Sequence, residues 1–262
     1  MTNYINEEII CEAYTKLDIH IFHDKQKLAD LEKYLLAFFG ERARFYLGDQ
    51  VKIKIEFEEG SLITKLKVIG GAVTIIATAV TAYGSFREGV AQISQDAAFL
   101  AQSANFEVIF RTKAAYCDRL DSERRKGIFG RVDVLIRQLD VANEKIANSK
   151  LPNNKNLLRI FNSETDTLIA WDVASNKFFS KLTDGPTIAC ISAGLLEELD
   201  KLPVKVPWSD DLQGNSLRAS LTNADPDLVG SIEGVAARYA AAIRTIKKSM
   251  RQRVDLYAPK NG

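Results

Sequence analysis

The sequence predicts an α+β fold, with a small antiparallel sheet and one long apolar helix in its N-terminal part and a helical C-terminal part. Three observations predict it. Residues 51–68 alternate apolar and charged side chains about a central glycine. The nineteen residues from Val68 to Phe86 carry no charge. Beyond Asn156 the apolar spacing is helical except over an irregular segment, Pro203–Asn223. Strands first and helices later is the order of an α+β chain, since an α/β chain would alternate them.

Taken in order, Leu17, Ile19 and Ile21 alternate with polar neighbours and predict a short strand. A helix follows, capped by Asp24, with Leu28, Leu31, Leu35 and Phe38 as its stripe and Gly40 as its left-handed stop. Arg42–Leu47 reads as another strand and Gly48–Gln50 as a turn. Val51, Ile53, Ile55 and Phe57, then Leu62, Leu66 and Val68, give a β-hairpin turning at Gly60. The stretch Arg87 to Ala104 is helical and polar on one side, Tyr116 to Gly130 is highly charged, and Arg131 to Asn148 is helical again. Residues 149–155, rich in Asn and containing Pro152, are the expected linker between domains 1–148 and 156–262. Helices are then expected over Thr165–Leu182 and Pro186–Leu202, an irregular segment over Pro203–Asn223, and a last long helix capped by Asp225 with Pro226 in its first turn.

The chain has 262 residues, 46% hydrophobic and 26% charged, enough for a sizeable core, and a net charge of +1. Attraction to nucleic acid or lipid must therefore come from a local patch. The acidic start, Met1 to Ile10, lacks the basic and apolar pattern of a signal peptide, and Cys11, Cys117 and Cys190 form no framework. A cytoplasmic, reducing compartment is the simplest expectation.

No chemistry-bearing motif stands out. Gly127-Ile128-Phe129-Gly130-Arg131 lacks the Lys-Ser/Thr ending with which a Walker loop grips phosphates, and neither GxGxxG nor GxSxG occurs. The two histidines, His20 and His23, stand three apart on an expected strand, hence on opposite faces, with no further ligand beside them. Glu58, Glu59, Glu197, Glu198, Asp200, Asp210 and Asp211 read as solvated turns and helix faces, and the Asp225/Asp227 pair as a cap. No metal or other cofactor is expected, and catalytic residues are not identifiable, although residues brought together by folding remain open.

Two segments carry the functional expectation. The charge-free run, flanked by Lys65, Lys67 and Arg87, reaches the length of a membrane span. Its many Gly, Ala and Thr residues equally suit a helix buried in a core or an oligomer interface. The buried helix is the expectation; a peripheral or conditional insertion into the inner membrane is its alternative. In the last helix Ile232, Ala236, Tyr239, Ile243, Ile246 and Met250 are spaced as a heptad seam, and Arg238, Arg244, Lys247, Lys248, Arg251 and Arg253 give it a basic outer face. Such a helix fits the core, a partner helix or a second copy, a membrane surface or, less well, nucleic acid.

Glu59-Gly60-Ser61-Leu62, Tyr83-Gly84-Ser85-Phe86-Arg87-Glu88-Gly89 and Ser122-Glu123-Arg124-Arg125-Lys126-Gly127-Ile128-Phe129-Gly130 resemble a group of uncharacterised bacterial proteins, over roughly residues 15–140. The resemblance implies a bacterial, intracellular origin and a module of hairpin plus long helix, and carries no activity with it. The leading expectation is a non-enzymatic interaction or effector subunit acting through assembly, such as a component of an antiviral defence or stress system. An enzyme using Arg124 and Arg125 to hold a phosphate, and a nucleic-acid binder using the last helix, are the alternatives.

Overall fold

A central strand with both faces covered organises the N-terminal part. The computed structural model describes residues 9–19, 21, 24–58, 61–147, 154–204 and 226–258, without the side chains of 154–157, 161, 226–229 and 232. Strands β1 (Ile9–Leu17), β2 (Val51–Glu58), β3 (Leu62–Gly70) and β4 (Arg119–Arg125) form one antiparallel sheet in the order β2-β3-β1-β4. The α+β class is as expected, and so is the hairpin, whose register runs from Val51 opposite Gly70 to Glu58 opposite Ile63. One sheet face buries Leu62, Leu66 and Val68 with Cys11, Ala13 and Leu17. The other is a lattice of ion pairs: Glu56 takes Lys67 at 2.9 Å and Lys54 at 3.2 Å, and Arg125 pairs with Glu12 and with Glu123 at 2.6 Å.

The structure corrects three of the expected elements. The first strand starts eight residues before the expected one and ends at Leu17, leaving Ile19 and Ile21 outside it. Ile9 to Ala13 are all buried, so this strand shows no alternation to find. Arg42–Leu47 is helix, since α1 runs Lys25–Leu47 straight through Gly40 with Leu31, Leu35, Phe39, Ala43 and Leu47 buried at every fourth position. Its cap is Asp24 as expected, the carboxylate accepting from the Lys27 N–H at 3.1 Å. The charge-free run, finally, is not one helix. Strand β3 takes it to Gly70, helix α2 spans only Ala72–Tyr83, Gly84 stops it at φ +79°, and Ser85 caps α3 (Phe86–Arg111) by accepting from the Glu88 N–H. Twelve residues rise about 18 Å, well short of a hydrocarbon core of about 30 Å. No helix among the described residues is long and apolar enough to cross a membrane. The small residues serve a close helix contact instead: a side chain at Gly89 would meet Ala79 of α2 at 3.1 Å. Ala72, Ile75, Ile76 and Ala79 are buried, in keeping with the buried reading of this segment.

Helix α4 (Gly127–Ala147) leaves β4 directly through Gly127, held at φ +57° against the Ile9 and Ile10 carbonyls. Helices α5 (Asn154–Phe179), α6 (Gly185–Asp200) and α7 (Pro226–Tyr257) follow among the described residues. The described chain divides into two compact units, residues 1–133 with Lys181–Thr183, and 134–180 with 184–262. This division falls inside α4, where the expected one falls at 149–155; residues 148–153 lie outside the described set. From Val134 onward α4 is tied to α5, the Trp171 indole donating to the Leu135 carbonyl at 2.9 Å. In the second unit Tyr239, Ile243, Ile246 and Met250 of α7 are buried in its packing against α5 and α6. Gly60, His20, His23, Pro203–Asn223 for all but its first two residues, and Asp225 fall outside the described residues.

Candidate interaction surface

Helix α3 is fixed to the sheet by a polar anchor. Asn105, buried in mid-helix, accepts from the Thr15 hydroxyl of β1 at 2.7 Å and donates to the Glu123 carbonyl of β4 at 2.9 Å. Leu100, Ala101, Ala104 and Val108 pack on the same side. With 100° per residue, Phe99, Phe106 and Phe110 lie within about 40° of one another, about 100–140° round the helix from Asn105 and opposite the side that carries Ala101, Ala104 and Val108. Helix α1 lies beside it, its Tyr34 hydroxyl donating to Glu107 at 2.7 Å. Tyr46 of α1 meets Phe99 at 5.6 Å between ring centroids, and Phe45 meets Tyr46 at 5.2 Å. Beyond the end of α3, Arg119 lines a groove with Phe106 and Phe110 and lies over Tyr116.

Phe45, Tyr46, Phe99, Phe106, Phe110 and Tyr116 are between 38% and 87% exposed. At about 200 Å² for a fully exposed aromatic residue, the six present about 800 Å², what one partner contributes to a standard protein interface. Exposed single apolar residues are ordinary; here Phe45, Tyr46 and Phe99 meet ring to ring, and Phe106 and Phe110 share a groove about two turns further along α3, which makes them a candidate interaction surface. The signal was in the sequence and was missed. Phe99, Ser103, Phe106 and Phe110 stand four, three and four apart, the spacing that Ile243, Ile246 and Met250 also follow.

The residues singled out from sequence are placed differently. Tyr239, Ile243, Ile246 and Met250 meet α5 and α6 of the same chain, and the side chain of Ile232 lies outside the described residues. Burial, with the Glu164 charge nearby, pushes the Tyr239 hydroxyl well above the ordinary tyrosine range. Arg244, Lys248 and Arg251 are exposed. Lys247 does not belong to that outer face: it is buried and pairs with Asp200 at 2.9 Å. Arg124 and Arg125 are neighbours on β4 and so lie on opposite faces of it: Arg124 is exposed and donates to Gln102 at 2.8 Å, and Arg125 is held by Glu12 and Glu123. Among the described residues no three His, Cys, Asp or Glu side chains are placed to hold a metal ion. Cys11 is buried, its thiol pushed up to about 12 by burial and by Glu12, which leaves no thiolate for nucleophilic chemistry. An open groove is lined by Asp24, Lys27, Asp30, Tyr34, Arg111 and Lys113, with Lys27 paired to Asp24 and Arg111 to Glu107, both at 2.9 Å.

The chain matches no protein-family model, no curated protein and no solved structure.

Proposed function

We propose that the chain is a non-enzymatic interaction subunit that works by assembly, with the aromatic face of α1 and α3 as its docking surface. The observation that carries this reading is the outward ridge of Phe99, Phe106 and Phe110, held out by the inward anchoring of Asn105. An exposed aromatic ridge costs solubility and contributes nothing to the core, so its use lies in what covers it. We place the work of the chain in the bacterial cytoplasm, in a system of the defence or stress kind, with any membrane contact peripheral. A photo-crosslinking amino acid at Phe106 or Phe110, introduced into the full chain in cells, tests the docking surface. An adduct of one defined mass is expected from both positions and not from the exposed Lys52 on β2. If the face positions give no more adduct than Lys52, the docking reading is wrong. A nucleic-acid role for α7 rests on exposed Arg244, Lys248 and Arg251 and would appear as a mass that falls on nuclease treatment.

A further inference from the structure

The ridge has a symmetry of its own. Along α3 the exposed Phe99, Phe106 and Phe110 and the half-buried Asp96 and Ser103, Asp96 accepting from Gln92 at 3.0 Å, follow heptad spacing, which is the spacing by which one helix fits another. Two such helices laid antiparallel about an axis between Ala104 and Asn105 come into one register. Phe99 then faces Phe110 of the second copy, and Ser103 faces its Phe106, a small residue against a large one, so both backbones can approach. The same register carries Asp96 to the end of the second copy's α3, where Lys113 stands just past Arg111. One two-fold operation thus matches aromatic with aromatic, large with small, and acid with base, and it uses each contact twice.

Resting on the docking reading above, we propose that the occupant of this face is a second copy of the chain, joined through antiparallel pairing of the two α3 helices. Phe99, Phe106 and Phe110 expose about 370 Å² of α3, and a pairing that also covers Phe45, Tyr46 and Tyr116 reaches the roughly 800 Å² of one side of a standard dimer interface. The charge also fits. Lys113 and Arg119 line the groove beside Phe106 and Phe110, and Asp96 stands two turns before Ser103 on the same face, so one end of the ridge is basic and the other acidic, an arrangement that an antiparallel second copy complements. At the β4 edge, self-pairing about Ser122 is disfavoured. Strand β4 is an edge strand, and pairing it with its own copy about Ser122 sets Arg119 against Arg125 and Asp121 against Glu123.

The test is sedimentation of the purified full chain over a concentration series. A dimer is expected, its dissociation constant raised about tenfold or more by Phe106→Asp, since an anchor at the centre of an interface is removed. Asp96→Lys should weaken it, and the double variant Asp96→Lys, Lys113→Asp should restore it, because the swap rebuilds the same pair; aspartate tolerates the left-handed backbone of Lys113, at φ 53°. Rescue by the swap is the outcome no other dimer produces. A dimer indifferent to Phe106→Asp, a swap that fails to restore, or a chain that stays monomeric to about 100 μM overturns the inference. So does recruitment of the monomer to acidic vesicles that Phe106→Asp abolishes. In any of these cases the crosslinking experiment separates the two readings: an adduct at another mass keeps the docking surface and discards the second copy, and no adduct discards both.

Discussion

Replacing Gly127 with alanine separates two effects that usually come together. Gly127 has φ +57°, and a Cβ there would lie 2.5 Å from the Ile10 carbonyl oxygen and nearer still to that of Ile9. The left-handed backbone alone costs an alanine about 1–2 kcal/mol. Relieving the overlap needs a shift of about 1 Å between the start of α4 and β1, the strand that pairs with both β3 and β4. Losing or stretching two or three of its hydrogen bonds adds roughly 1 kcal/mol each. The total, about 3–5 kcal/mol, is a large part of the stability of a typical domain. Gly84 is the control. Its φ is +79°, but a Cβ there meets nothing within 4 Å, so Gly84→Ala should cost only the backbone share of about 1–2 kcal/mol. Urea unfolding followed by circular dichroism measures both. Equal losses in the two variants would refute the claim that Gly127 is required by its contact with β1.

Two further outcomes follow from charges the structure places. Lys247→Glu sets a carboxylate against Asp200 on a buried position and should cost about 1–3 kcal/mol, whereas Lys248→Glu on the exposed side should stay within about 0.5 kcal/mol; thermal unfolding of the two single variants decides it. The Glu56 carboxylate is held below the usual range, first by its hydrogen bond to Lys67 and then by Lys54, so its contribution is full above the unfolded value of about 4.3 and is lost as pH falls through the lower folded value. Glu56→Gln should therefore lower stability at neutral pH and match the parent in strong acid; a difference that does not depend on pH would show the pair contributes nothing as an ion pair.

What was legible in the sequence was whatever had one wet and one dry face. The hairpin β2–β3 shows its alternation because its second face is an ion-pair lattice, and α1 announces its start through Asp24, whose carboxylate accepts a first-turn amide; Asp184 caps α6 in the same way, a sequence signal that was missed. Strand β1 was hidden because burial on both sides erases alternation, and Glu12 within it looks like a surface residue until Arg125 is seen beside it. Strand β4 was hidden for the opposite reason: six of its seven residues are exposed, so its composition reads as a charged loop. The charge-free run misled because absence of charge has no period. Val68 ends on a strand and Val73 on a helix, and only Gly84 and Ser85, a stop followed by a cap, mark where the chain turns.

Heptad spacing says that a helix face fits another helix; it does not say whose. The seam of α7 and the ridge of α3 have the same intervals, yet Ile243 is fully buried against helices of its own chain and Phe106 is 61% exposed. The difference lies in which side of each helix its own chain covers. Helix α7 is held to α5 and α6 by its buried seam, together with ties from Lys247 to Asp200, Arg238 to Asn162 and Arg253 to Asn176; α3 is held by Asn105 and its apolar inner side, which leaves the opposite side exposed. Ile243→Asp should therefore cost at least the 2–5 kcal/mol of a lost core side chain, with a further penalty for an unpaired buried carboxylate, and should leave the protein largely unfolded. Phe106→Asp, measured at dilution where any assembly has dissociated, should change stability by no more than about 0.5 kcal/mol. Chemical denaturation of the two variants at low concentration compares them directly. If Phe106→Asp is as damaging as Ile243→Asp under those conditions, the ridge is part of the chain's own packing, and the distinction drawn between the two seams fails.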